Sequence, residues 1–166
     1  IACRYPVKII RHLNNMGLSP ARNTAIRYAK GDYLAAVDVD VVLDKYWLEY
    51  LITNFTSDTV GGTGGKLLEQ YSLTVVDRWR QINMAQNWGR KRKINPYALV
   101  GSNNIYRKKC LVEAGGYNEK FTHNHEDTDL SLRVKMLNYK LVYDPRAVAH
   151  HLRTDTIKTM LETYWR

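Results

Sequence analysis

Three clusters of polar side chains stand at the ends of apolar runs. Tyr33-Leu34-Ala35-Ala36-Val37 ends in Asp38-Val39-Asp40, two carboxylates one residue apart. Asn124-His125 leads into Glu126-Asp127, and Ala147-Val148-Ala149 leads into His150-His151. Hard divalent cations take carboxylate oxygens and bridge readily to phosphate. An Asp and a His, with phosphate oxygens filling the other positions, make a Mn²⁺ or Mg²⁺ site, and the imidazole tilts it toward Mn²⁺. A spare carboxylate can then serve as general base. Together these residues suit a metal-assisted displacement at a phosphorylated substrate, without saying which bond breaks. Each cluster alone also has an ordinary reading. Two acids can simply open a turn, and Glu126, Asp127 and Asp129 are favoured by the dipole at a helix start.

The elements that must position these groups follow from periodicity. Val7–Ile10 reads as a short strand, and Asn14-Asn15-Met16-Gly17 as a turn. Ser19-Pro20 then opens a helix, with Ser as N-cap and Pro in the first helical position, and Lys30-Gly31 closes it. Tyr33–Asp38 is a buried strand whose C-terminal tip carries Asp38 and Asp40, placed where ligands of open α/β sheets sit. Asp44 caps a helix over 45–55. Strand, helix, strand, helix in succession predicts parallel strands with right-handed crossovers. Val60–Leu68 carries four glycines but neither GxxxxGK[ST] nor GxGxxG, which favours a strand that lets another backbone or a ligand come close over a phosphate loop. A long helix is expected from Ser72 to Trp88, then the basic run Arg90-Lys91-Arg92-Lys93, read as a solvated loop or as contact with an anionic acceptor or membrane surface. A strand from Leu99 to Arg107, a helix from Lys108 to Ala114, a helix starting near Asn124, a last strand Lys140–Tyr143 broken by Asp144-Pro145, and a helix from Thr156 complete the chain. No internal repeat or linker divides it, so residues 1–166 read as a single domain.

The 166 residues carry a net charge of +9, which favours anionic partners without choosing among them. Nucleic acid is disfavoured because no basic–aromatic interleaving of a recognised module is present. Cys3 and Cys110 lie far apart in no zinc spacing, which reads as reduced, structural thiols in a cytoplasmic setting. No apolar run approaches the roughly 18 residues of a spanning helix.

The order of the motifs resembles the family 2 glycosyltransferases of GT-A fold. Ala21-Arg22-Asn23-Thr24-Ala25-Ile26, Ala29-Lys30-Gly31-Asp32-Tyr33-Leu34 and Asp38-Val39-Asp40 resemble the family's middle. Gly101-Ser102-Asn103-Asn104-Ile105-Tyr106-Arg107, Gly115-Gly116-Tyr117-Asn118-Glu119 and His125-Glu126-Asp127-Thr128-Asp129-Leu130-Ser131-Leu132-Arg133 resemble its acceptor half, and Pro145-Arg146-Ala147 followed by His150 its closing segment. The resemblance implies an α/β, Rossmann-like, mostly parallel sheet flanked by helices. It implies an inverting, metal-dependent transfer of a sugar from a nucleotide-sugar, most simply a UDP-sugar, to a hydroxyl of a glycan or lipid-linked acceptor. Asp40 would bind Mn²⁺ or Mg²⁺, with Asp38 facing the ribose or the metal-bound diphosphate. His150 would complete the metal site, with His151 a rival by one residue. Arg22 would contact the nucleotide, and Gly101, Ser102 and Asn103 would line the donor-sugar pocket. Asp127 would be the base and Glu126 would hold the acceptor. Apart from the resemblance, Trp79, Trp88 and the basic run in the stretch 71–97 are candidates for contact with a glycan or lipid phosphate, against the simpler reading of a helix-packing Trp.

Two departures accompany the resemblance. Family members begin with two further strands bearing part of the nucleotide pocket, and nothing before Val7 can hold them. The sequence therefore reads as N-terminally incomplete, with those strands lost by truncation or supplied by another chain. A sheet without them would expose apolar edges, which favours self-association, and a catalytically incomplete sugar- or nucleotide-binding remnant is the alternative to an enzyme. Tyr164-Trp165-Arg166 resembles the end of the QxxRW motif of processive members but lacks its Gln, which implies a non-processive enzyme, working in the cytoplasm or at the cytoplasmic face of a membrane.

Overall fold

The computed structural model describes residues 4–121 and 124–164. Cys3 and the Trp165-Arg166 end of the last motif lie outside them. The elements run α1 (Leu18–Tyr28), β1 (Tyr33–Val37), β2 (Val41–Leu43), α2 (Trp47–Ile52), β3 (Val60–Glu69), α3 (Val75–Asn83), β4 (Lys93–Ile94), β5 (Asn103–Arg107), α4 (Lys108–Glu113), α5 (Glu126–Met136), β6 (Lys140–His151) and α6 (Ile157–Tyr164). The strands form one sheet in the order β1-β5-β3-β6-β2, with β4 also paired to β6. Helices pack on both faces. The fold is thus α/β, but the pairing is not mostly parallel. Among the described residues only β3 and β6 run parallel, while β1–β5, β3–β5, β2–β6 and β4–β6 are antiparallel. Consecutive strand–helix–strand segments are not adjacent in this sheet, so the crossover rule does not fix their direction.

Alternation along β5 feeds two cores. Tyr106 faces a cluster with Ile26, Leu111, Leu130, Val134 and Leu141, under α1, α4 and α5. Its neighbour Ile105 faces Trp47, Leu51, Leu67, Ala147 and Ala149, under α2. Each fully buried Leu or Ile contributes about 1.5–3 kcal/mol. Cys110 is a free thiol within the first core, where burial pushes its pKa up to about 12, so it behaves as a small apolar side chain.

Several boundaries differ from the sequence reading. Residues 7–10 form no strand. Ser19 lies inside α1 with its hydroxyl donating to the Phe121 carbonyl at 3.1 Å, and Gly17, at φ 92°, takes the N-cap position. Tyr46, not Asp44, precedes α2. α3 is shorter than expected at both ends: a capping box of Thr74 and Asp77 starts it at Val75, and it ends at Asn83, short of Trp88.

The largest difference is in β6. Asp144-Pro145 does not end this strand. Register jumps from Gly65↔Asp144 to Lys66↔Val148, so residues 145–147 bulge out and pairing resumes as far as His151. The bulge needs Gly65. A Cβ there would overlap the Ala147 carbonyl, which is the close backbone approach expected of this glycine-rich strand. Gly65→Ala should therefore cost about 3 kcal/mol, measured by urea unfolding, because neither strand backbone can retreat from the centre of the sheet.

Candidate active site

The end of the sheet where β1, β3 and β6 stop and β2 begins carries a polar hollow of ≈ 290 Å³. Asp38 and Asp40 reach it because residues 38–41 form a tight turn, closed by the Val41 N–H donating to the Asp38 carbonyl at 3.2 Å. Val39 points fully to solvent, so the two acids flank the same space. The turn is pinned to β6 by the Leu152 N–H donating to the Asp40 carbonyl at 2.7 Å.

The opposite wall is the start of α5. Leu130 and Val134 bury this helix in the first core, and the Ser131 hydroxyl accepts from the Leu99 N–H at 3.0 Å. That docking sets Asp127 against the 100–102 loop. Its Oδ2 accepts from the Gly101 N–H at 2.8 Å, and its Oδ1 accepts from the Thr128 N–H at 2.7 Å. A Cβ at Gly101 would crowd both Asp127 and the Arg22 guanidinium, so only glycine fits here without displacing them.

Arg22 joins the two walls. Its guanidinium donates to Glu126 Oε1 at 2.8 Å, to Asp38 Oδ1 at 3.1 Å and to the Gly101 carbonyl at 3.1 Å, and it lies 5.2 Å from the centre of the Tyr117 ring. Burial works against its charge, but Tyr117, Asp38 and Glu126 outweigh burial and raise its pKa. Glu126 is pushed up by burial and by the Asp127 charge, against the pull of Arg22. Glu126 pairs with Arg22 through Oε1 and also lines the hollow, where the resemblance gives it to the acceptor. Arg22→Gln leaves Glu126 buried without its cation and should cost about 3 kcal/mol in urea unfolding.

The two histidines part company. Neighbours on a strand face opposite ways. His151 lines the hollow, with Nε2 3.3 Å from Asp40 Oδ2 and Nδ1 3.3 Å from the Glu69 carboxylate. His150 turns away and meets Asp44 Oδ1 at 3.1 Å. The histidine beside Asp40 is therefore His151, the rival, and not His150. A one-residue choice was unreadable because the bulge at 145–147 resets which face each residue takes.

Gly101 and Ser102 line the hollow. Asn103 does not: it is fully buried on β5, where its Oδ1 accepts from Trp47 Nε1 at 2.6 Å. Trp88 lies outside any helix, its Nε1 donating to the Ala98 carbonyl at 2.7 Å, and it borders an adjoining hollow of ≈ 230 Å³ that also reaches Asp127. Sequence reasoning missed Glu69, Gln86 and Arg153 around this end of the sheet. Glu69 had a readable signal, being an acid at the tip of the long, mostly buried β3; Asp38 instead follows β1, a five-residue edge strand with no buried residue, so the buried strand expected there is not found.

Asp40 and His151 offer a carboxylate and an imidazole side by side, which is the donor chemistry of a Mn²⁺-type site. Among the described residues no group of three or more His, Cys, Asp or Glu converges as a full metal cage. A two-donor set of this kind fits a cation whose other positions are taken by phosphate oxygens and water.

This sheet, with an aspartate turn at its tips and an acid-rich helix start facing it, is the GT-A fold. Structural relatives agree: GalNAc-T7, solved with UDP, GalNAc and Mn²⁺, has a TM-score of 0.67 at 16% identity, over 87% of this chain and 32% of that one. A mannosyltransferase from Pyrobaculum calidifontis, solved with GDP-Man and Mn²⁺, has a TM-score of 0.65 at 16% identity, over 90% and 40%.

The chain belongs to glycosyl transferase family 2, whose profile matches residues 1–114. It is 28% identical over 155 residues to the pre-mycofactocin glycosyltransferase of Mycobacterium tuberculosis, covering 89% of this chain and 33% of that protein. It is 24% identical over 149 residues to the poly-beta-1,6-N-acetyl-D-glucosamine synthase of Staphylococcus aureus, covering 86% and 36%. The chain thus spans about a third of the length of the curated relatives it matches. Among the described residues no helix is long and apolar enough to cross a membrane.

Proposed function

We propose that this chain carries the transfer site of an inverting glycosyltransferase that moves a sugar from a nucleoside-diphosphate sugar to a hydroxyl acceptor. One observation carries the reading: Asp40 and His151 meet on one wall of a hollow whose other wall presents Asp127. Asp40 and His151 would hold a divalent cation, Mn²⁺ by donor type. When bound, the cation supplies positive charge to offset that on the departing diphosphate.

The chain's own residues do the rest. Arg22 holds Asp38 at the mouth of the hollow, where the ribose or the diphosphate would lie, and Gly101 and Ser102 leave room for the donor sugar. Asp127 is held by two backbone N–H groups, and its carboxylate takes the proton of the acceptor hydroxyl. That oxygen forms a bond to the anomeric carbon as the carbon–oxygen bond to the diphosphate breaks, and the electron pair leaves with the diphosphate. Attack opposite the leaving group inverts the anomeric centre. The adjoining hollow beside Trp88 also touches Asp127, which suits an acceptor approaching from that side. The acceptor is a glycan or a lipid-linked sugar, and the exposed basic run 90–93 suits peripheral contact with an anionic surface at the cytoplasmic face.

The test is nucleoside diphosphate release from UDP-GlcNAc, UDP-glucose, UDP-GalNAc and GDP-mannose, with Mn²⁺ and with EDTA. Release from at least one donor that stops with EDTA is expected. Mn²⁺-independent release from all four, or no binding of any donor in the presence of Mn²⁺, contradicts the reading.

A further inference from the structure

We propose that Glu69 is a positioning residue for the cation site, acting through the far nitrogen of the His151 ring. The inference rests on the reading of Asp40 and His151 as cation ligands. Glu69 and His151 are register partners in the parallel β3–β6 pair, so their side chains rise from the same face of the sheet. Their backbones are tied there by the Gln70 N–H donating to the His151 carbonyl at 2.9 Å. The ring is held from both sides, with Nδ1 toward Glu69 and Nε2 toward Asp40. Donation of an Nδ1–H to Glu69 leaves the Nε2 lone pair facing Asp40, where a cation would take it.

Glu69 is itself fixed. Arg80, only 2% exposed, donates from Nη2 to Glu69 Oε2 at 2.7 Å and to the Arg153 carbonyl at 3.2 Å, and its other terminal nitrogen pairs with Asp155. Asp155 is anchored in turn, its N–H donating to Asp77 Oδ1 at 2.8 Å, and Asp77 belongs to the capping box that starts α3. A buried chain of charges therefore runs from α3 through Arg80 and Glu69 to the ring of His151. Register alone sets the two side chains next to each other, and the ring nitrogen turned to the carboxylate is Nδ1, which leaves Nε2 to face Asp40.

The test uses Mn²⁺ alone as probe, followed by electron paramagnetic resonance, on the wild-type protein and on Glu69→Ala, Glu69→Gln, Asp40→Ala and His151→Ala. Ring-¹⁵N spectra of His151 are taken in the metal-free protein with the ring neutral. Glu69→Ala should weaken Mn²⁺ binding by about 10–100-fold and move the ring proton from Nδ1 to Nε2. In Glu69→Gln the amide oxygen still accepts the Nδ1–H, so affinity should return to within about threefold of wild type, with the Nδ1–H tautomer kept. Circular dichroism checks that each variant is folded. Should Glu69→Ala unfold, the tautomers of wild type and Glu69→Gln decide, and Nε2–H in both overturns the proposal. Wild-type affinity and tautomer in Glu69→Ala also overturn it, and the cation site survives if Asp40→Ala and His151→Ala still lose Mn²⁺. If those two bind Mn²⁺ as wild type does, the cation reading itself falls.

Discussion

Asp127→Asn should lower the transfer rate by about 10²–10⁴-fold, the range for losing a positioned general base, while Mn²⁺-dependent donor binding stays within a few-fold of wild type. The structure gives the reason for the split. Asp127 sits on α5, across the hollow from Asp40 and His151, and its partners are the backbone N–H groups of Gly101 and Thr128. Asparagine keeps one oxygen to accept from Gly101, so the loop should hold its place. What is lost is the group that takes the hydroxyl proton. Single-turnover kinetics beside donor-binding calorimetry measure the two separately. Equal loss of binding and turnover would place Asp127 in donor binding and remove it as base.

The second large effect is a contrast between neighbours. His151→Ala and Asp40→Ala should each weaken Mn²⁺ binding by about 100-fold or more, as loss of one of two protein ligands requires. His150→Ala should leave it within about twofold, because His150 pairs with Asp44 away from the hollow. The pair of histidine variants controls for itself: both change the same strand, the same residue type and the same net charge. Calorimetry with Mn²⁺ reads it directly. Equal losses in His150→Ala and His151→Ala would show a site that does not depend on which face of β6 each ring takes.

Much of this geometry is legible in the residues. The apolar run ending in Asp38-Val39-Asp40 predicts a strand with acids at its tip, and β1 with its turn has that form. The glycine-rich stretch 60–65 reads as a strand under close approach, and Gly62 against Tyr106 and Gly65 against Ala147 explain the composition. What could not be read is tertiary. Strand direction follows from which strands end up adjacent, and the sequence order of strands does not carry that. The continuation of β6 past Asp144-Pro145 depends on a bulge that Gly65 accommodates on a strand some 80 residues earlier. That bulge decides that His151, and not His150, meets Asp40. Asn103 differs for a similar reason: the resemblance places it with Gly101 and Ser102 in the donor pocket, but β5 turns it inward to Trp47.

The central claim is that one cation is shared by Asp40 and His151 in front of Asp127. The direct measurement is an anomalous difference map from crystals soaked in Mn²⁺ and UDP. A peak within about 2.0–2.3 Å of both Asp40 Oδ2 and His151 Nε2, with diphosphate oxygens completing its shell, is the predicted result. A peak held by His150 and Asp44, or UDP bound in that hollow with neither Asp40 nor His151 near a cation, would contradict it.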